Sequence, residues 1–143
     1  VTGLIGIIFS PLLHYGYTHL LANSISLFIL GMTLNVIESR RFWTITIFIW
    51  VVGGLGTWII GRSNSIHIGA SGVVYGFLGY LFTTGFFTRS FKTIITSAIV
   101  LFLYAGAIWG VLPTQGKAIS WEGHLSGFVA GIIISRMIAR KKV

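Results

Sequence analysis

Cysteine is absent from the 143 residues, so neither a disulfide framework nor a thiolate metal site can be built, and the redox compartment leaves no trace in the composition. Aspartate is absent as well. A Ser-His-Asp triad is thereby excluded, and Glu38 and Glu122 are the only carboxylate side chains available. Charge of either sign is scarce: charged residues make up 8% of the chain against 55% hydrophobic, with a mean hydropathy of +0.91. So few polar groups cannot coat a soluble globule of this size, which places the chain among integral membrane proteins. A net charge of +8 raises the question of a nucleic-acid partner, but the ten basic residues lie in short breaks between apolar runs. That pattern sets orientation in a lipid bilayer and implies no nucleic acid. The chain begins at Val1 without a methionine, and its first residues lack the charged start and cleavage site of a signal peptide, so an upstream segment is expected.

Residues 1–17 mix apolar residues with Gly3, Gly6, Pro11, His14 and Gly16, and the run before Pro11 is too short to cross a bilayer. They read as an outer, interfacial loop. Five apolar runs follow, at about 18–36, 42–60, 71–87, 93–112 and 121–139, near the roughly 20 residues a helix needs to cross a hydrocarbon core of about 30 Å. They predict an all-α fold, a polytopic transmembrane helical bundle forming one membrane domain. Arg40, Arg41, Arg89, Lys92, Arg136, Arg140, Lys141 and Lys142 fall on one side of such a bundle, and Arg62 and Lys117 on the other. Because basic residues concentrate in cytoplasmic loops, the C-terminus is expected in the cytoplasm, with the His14 stretch and the loops leading to Ser71 and Trp121 outside. Trp43, Trp58, Trp109 and Trp121 sit near span ends and read as interfacial anchors. The third run is the shortest of the five, so its start is expected beneath the outer surface. The Gly61–Ala70 loop would dip with it, which lipid tolerates only where protein shields the backbone or a watery cavity meets it.

Ser71 stands in Ile68-Gly69-Ala70-Ser71-Gly72-Val73-Val74-Tyr75-Gly76, where a polar loop runs into an apolar helix. A hydroxyl at a helix start lies beside N–H groups without intrahelical partners, which can stabilise an oxyanion, so Ser71 is a candidate nucleophile. The bland alternative is a run of small residues for close helix packing. Val73 replaces the second glycine of the soluble-hydrolase elbow, so that soluble fold is not implied. His124 lies in the first turn of the last span on the same outer side, where the positive end of the helix dipole disfavours imidazolium and suits a general base. Gly123, Gly127 and Gly131 recur every four residues on its helix, and Gly72 and Gly76 do so on that of Ser71. Such faces let helices approach closely enough for a serine to hydrogen-bond a histidine. Tyr75, one turn below Ser71, is placed to buttress an imidazole ring. His19 and Asn23, four apart on one helix face, read either as donors aimed at an oxyanion or as a helix-helix hydrogen bond. His67 is a lesser candidate base, and Glu122 reads as a solvated boundary carboxylate, two positions from His124 and pointing to a different face.

The stretch from His14 through Asn23, the Gly69-Ala70-Ser71-Gly72 turn, and Gly123-His124-Leu125-Ser126-Gly127 with Gly131 resemble the three signature blocks of rhomboid intramembrane serine proteases, in the family's order. The resemblance covers about Gly3 to Met137. It implies a catalytic dyad of Ser71 and His124, with His19, Asn23 and the Ser71 N–H at the oxyanion and Gly69 supporting that turn. It also implies that Tyr75 supports the His124 ring, Gly127 allows close helix approach, and His14 stabilises the loop. Glu38 and Arg40 resemble the family's Glu-x-Arg pair. Implied substrates are transmembrane proteins cut in or near a spanning segment with small, helix-destabilising residues, without any metal or organic cofactor. Three features depart from the pattern: five spans are visible where the family core has six, the first apparently absent; the long outer loop after that span is mostly missing; and the Trp-Arg motif is not present. A non-catalytic rhomboid-like protein that binds transmembrane segments is the alternative reading, followed by a small transporter or channel using the His and Asn cluster.

Overall fold

The computed structural model describes residues 2–63, 65–113 and 119–141, and all regular structure among them is helical. The helices are α1 (Thr2–Phe9), α2 (Tyr17–Glu38), α3 (Phe42–Ile60), α4 (Ser71–Thr88), α5 (Phe91–Tyr104) and α6 (Trp121–Arg140). Single 3₁₀ segments follow α1 (Ser10–Leu12), α2 (Ser39–Arg41) and α5 (Ala105–Val111). Residues 114–118, within the loop expected between Pro113 and Ser120 and including Lys117, lie outside the described residues, as does Lys142.

Helix α4 is apolar all round, and a helix of that kind must be enclosed by others. Val73, Val74, Phe77, Leu78, Tyr80 and Leu81 point to different sides of it and all are buried. Helices α2, α3, α5 and α6 surround it, with α6 making the most extensive contact. The closeness of α4 and α6 comes from glycine: a Cβ at Gly127 would overlap the Gly72 carbonyl, and one at Gly131 would overlap the Gly76 carbonyl. On the other side of α6, Gly53 of α3 lies against the Gly127 backbone, and Gly56 faces the Ser126 side chain. Helix α5 is held to α4 by Ser97, whose hydroxyl accepts from the Gly85 N–H at 2.9 Å and donates to the Leu81 carbonyl at 2.5 Å.

The outer faces are apolar. Phe28 on α2 and Phe102 and Leu103 on α5 are exposed, as lipid-facing positions must be. The continuous run Tyr17–Ile60 and the segment Phe91–Val111 are each long and apolar enough to cross a membrane. Arg40 and Arg41 between α2 and α3, Arg89 and Lys92 between α4 and α5, and Arg140 at the end of α6 gather at one end of the bundle. There the Lys92 ammonium donates to the Val36 carbonyl at 2.8 Å, and buried Glu38 pairs with Arg41 at 3.6 Å.

Two segments differ from expectation. The first 17 residues, expected as a loop, begin with helix α1, which cannot span but packs along α3: the Trp50 Nε1–H donates to the Ile7 carbonyl at 3.0 Å, and Gly54 leaves room for Ile7. The fourth span, expected as one helix over 93–112, is α-helical to Tyr104 and then tightens into the 3₁₀ segment Ala105–Val111.

Replacing Gly131 by Val is expected to destabilise the bundle by about 1–3 kcal/mol, since the α4 backbone at Gly76 and Tyr80 cannot yield. Gly106→Ala, where nothing lies within 4 Å of the new methyl, should stay within about 0.5 kcal/mol. Thermal unfolding in detergent measures both.

Candidate active site

Ser71 is the first residue of α4, and His124 lies in the first turn of α6. Because the glycine contacts bring the two helices nearly to backbone contact, these side chains meet: Ser71 Oγ is 3.0 Å from His124 Nε2. The other ring nitrogen, Nδ1, is 2.9 Å from the Gly110 carbonyl oxygen. A carbonyl can only accept, so Nδ1 carries a proton, and in the neutral ring Nε2 presents its lone pair to the Ser71 hydroxyl. The Tyr75 ring stacks on the imidazole at 4.1 Å and an angle of 12°, and its hydroxyl donates to the Ala107 carbonyl at 2.9 Å. Orientation that a carboxylate supplies in a triad is supplied here by a backbone carbonyl and a ring face.

The remaining predicted residues gather on the turn just before Ser71. Gly69 adopts φ +112°, a conformation L side chains rarely take, and a Cβ there would lie 2.7 Å from His19 Cε1 and 3.1 Å from Asn23 Nδ2. Gly69 N–H donates to the Ser10 carbonyl at 2.9 Å, which ties the turn to the 3₁₀ segment after α1. His14 Nε2 accepts from the Ala70 N–H at 3.5 Å, and its ring meets His19 edge-on at 5.1 Å. Asn23 is buried, and its amide nitrogen has no hydrogen-bond partner among the described residues. A buried donor left open in this way is costly unless something occupies it. A cleft of about 1140 Å³ joins these groups, its lining including His19, Asn23, Ser71, Tyr75 and His124.

His67 and Glu122 stand apart from the Ser71–His124 pair, although His67 also lines this cleft. Glu122, expected to be solvated, is fully buried against Arg62, and His67 hydrogen-bonds Ser65 and Ser120. The roles of the Gly110 and Ala107 carbonyls were not foreseen. Every residue carries a carbonyl, so the one available signal was glycine inside an apolar run: a Cβ at Gly110 would overlap the Tyr75 hydroxyl.

A helical membrane bundle with a serine-histidine pair at the start of two glycine-packed helices defines a narrow class. The Rhomboid domain family matches residues 2–141. An uncharacterized protein of Mycobacterium tuberculosis is 43% identical over 144 residues, covering 96% of this chain and 60% of that protein. A Bacillus subtilis protein provisionally named rhomboid protease YdcA is 29% identical over 133 residues, covering 92% and 65%, and RHOMBOID-like protein 4 of Arabidopsis thaliana is 31% identical over 132 residues, covering 85% and 32%. The chain thus spans 60% of the length of the mycobacterial relative. It belongs to the rhomboid family of integral membrane proteins.

Gly69→Ala forces a side chain into a left-handed conformation and against His19, and is expected to cost about 1–3 kcal/mol. Faster amide exchange at residues 66–70, with the α4–α6 contact still protected, is the measurement that would show it.

Proposed function

We propose that this chain carries the catalytic centre of an intramembrane serine endopeptidase, which hydrolyses peptide bonds in or near the transmembrane segments of membrane proteins. The observation that carries the proposal is the 3.0 Å contact between Ser71 Oγ and a His124 Nε2 whose tautomer is fixed from behind by Gly110. In this reaction Ser71 Oγ attacks the scissile carbonyl carbon as its proton passes to Nε2, and the carbonyl oxygen becomes an oxyanion. The Asn23 amide, the His19 ring and the unpaired N–H groups at the start of α4 receive that oxyanion. His124 then gives its proton to the leaving amine, and water repeats the cycle on the acyl-enzyme with His124 as base. The open Asn23 donor supports this assignment, since it is the group an oxyanion would occupy.

The basic end of the bundle faces the cytoplasm in this proposal, so the cleft opens to the extracytoplasmic side and water enters there. Glycosylation tags or cysteine-accessibility labels placed at residue 66 and at residue 89 test that orientation.

Fluorophosphonate labelling of the purified protein tests the chemistry. Wild type should label, Ser71→Ala and His124→Ala should not, and Asn23→Ala should slow cleavage of a reconstituted single-span substrate by roughly 10²-fold. Labelling or cleavage that survives Ser71→Ala would overturn the serine mechanism. A wild type that neither labels nor cleaves would point instead to a non-catalytic binder of transmembrane segments.

A further inference from the structure

A second set of polar contacts ties the 61–70 loop to the start of α6, and none of its members takes part in the proposed chemistry. Arg62 Nε donates to Glu122 Oε1 at 2.5 Å, while Nη2 donates to the Ile119 carbonyl at 3.1 Å and to Glu122 Oε2 at 3.4 Å. Behind this pair, His67 lies between two hydroxyls, with Nδ1 2.6 Å from Ser120 Oγ and Nε2 2.7 Å from Ser65 Oγ. The Ser65 hydroxyl donates its proton to the Arg62 carbonyl at 2.6 Å, so it accepts from His67 Nε2–H. Nδ1 is then the acceptor for the Ser120 hydroxyl proton, and Ser120 Oγ itself caps α6 by accepting from the Gly123 N–H at 3.3 Å. Each link of the chain is satisfied.

Position gives these contacts their meaning. The loop they hold ends on Ser71, and the helix turn they grip carries His124 two residues after Glu122. The glycine contacts fix α4 against α6 from Gly72, which faces the Gly123 carbonyl, and the turn before Ser71 is tied to Ser10 and His14; among the described residues, the Arg62 and His67 contacts are the ones that join the 61–70 loop itself to the start of α6. Glu122 is fully buried while Arg62 stays partly exposed, and a covered carboxylate is held only while its charge is matched, which the guanidinium fork does by meeting both of its oxygens. We infer that the Arg62–Glu122 pair, backed by Ser65, His67 and Ser120, is a positioning latch that presses the Ser71 turn against the first turn of α6 and so sets the Ser71–His124 hydrogen bond. The inference rests on the reading of Ser71 and His124 as nucleophile and base. Misplacing reacting groups by about 1 Å costs roughly 10²-fold, so a loosened latch registers in the bond-forming step.

Fluorophosphonate inactivation kinetics test this in wild type, Arg62→Gln, Glu122→Gln, the double variant and Arg62→Lys, with kinact and the final labelled fraction measured separately. The latch predicts that each single Gln variant lowers kinact by about tenfold or more while the protein still labels to completion. The double variant should lose no more than the worse single, because both changes break one device. It also buries no unpaired charge, so it carries the test if a single variant fails to fold. Arg62→Lys, which keeps the charge without the fork, should recover part of the loss. Wild-type kinact in the Gln variants, or a smaller labelled fraction at unchanged kinact, would reduce the pair to a structural contact and overturn the latch. A wild type that does not label at all would overturn the Ser71 reading, and the latch with it.

Discussion

The structure depends on the contact between the backbones of α4 and α6. Four glycines, Gly72 and Gly76 facing Gly127 and Gly131, remove the side chains that would hold two helices apart, and their absence lets carbonyl and Cα groups meet directly. In lipid there is no hydrophobic gain in bringing two apolar helices together, so packing of this closeness must itself supply the association. Ser71 and His124 are within hydrogen-bond distance because of it. Helix α3 repeats the device on the far face of α6 through Gly53 and Gly56, which makes α6 a helix gripped from two sides.

Around this axis, the less regular parts of the chain complete the candidate site. The 3₁₀ segment after α5 brings the Ala107 and Gly110 carbonyls to Tyr75 and His124, with Gly110 in the last turn, where helix carbonyls lack partners inside the helix. On the opposite side, α1 and its 3₁₀ end hold Gly69 through Ser10. Both groups of contacts are backbone-mediated, which suits a chain with so few charged side chains to spend.

The all-helical bundle was legible in the sequence because lipid demands long apolar runs, and the family was legible in three short blocks around His19, Ser71 and His124. The meeting of Ser71 with His124 could be argued from their places at two helix starts on the same outer side together with the glycine spacing that lets those helices approach. What escaped was set by partners distant in sequence. Helix α1 looked like a loop because eight residues cannot span, yet it is secured by Trp50, 43 positions away. Glu122 looked solvated because helical geometry correctly turned it away from His124 but could not show that Arg62 waits there, 60 positions earlier. The tightening at Ala105 left no mark in hydropathy, only the two glycines Gly106 and Gly110.

The neutral carbonyl behind His124 has an electrostatic consequence. A triad holds a permanent negative charge beside its imidazole, and in a bundle with low dielectric that charge would be expensive to maintain between turnovers. With Gly110 in that place, the resting pair carries no charge at all. In the proposed reaction, imidazolium and oxyanion arise together and vanish together, so the local sum of charge stays at zero from substrate entry to product release. In return, no fixed carboxylate meets the imidazolium, which is stabilised by the Gly110 carbonyl, the Tyr75 ring face and the oxyanion itself, so the barrier is sensitive to how well those groups are aimed.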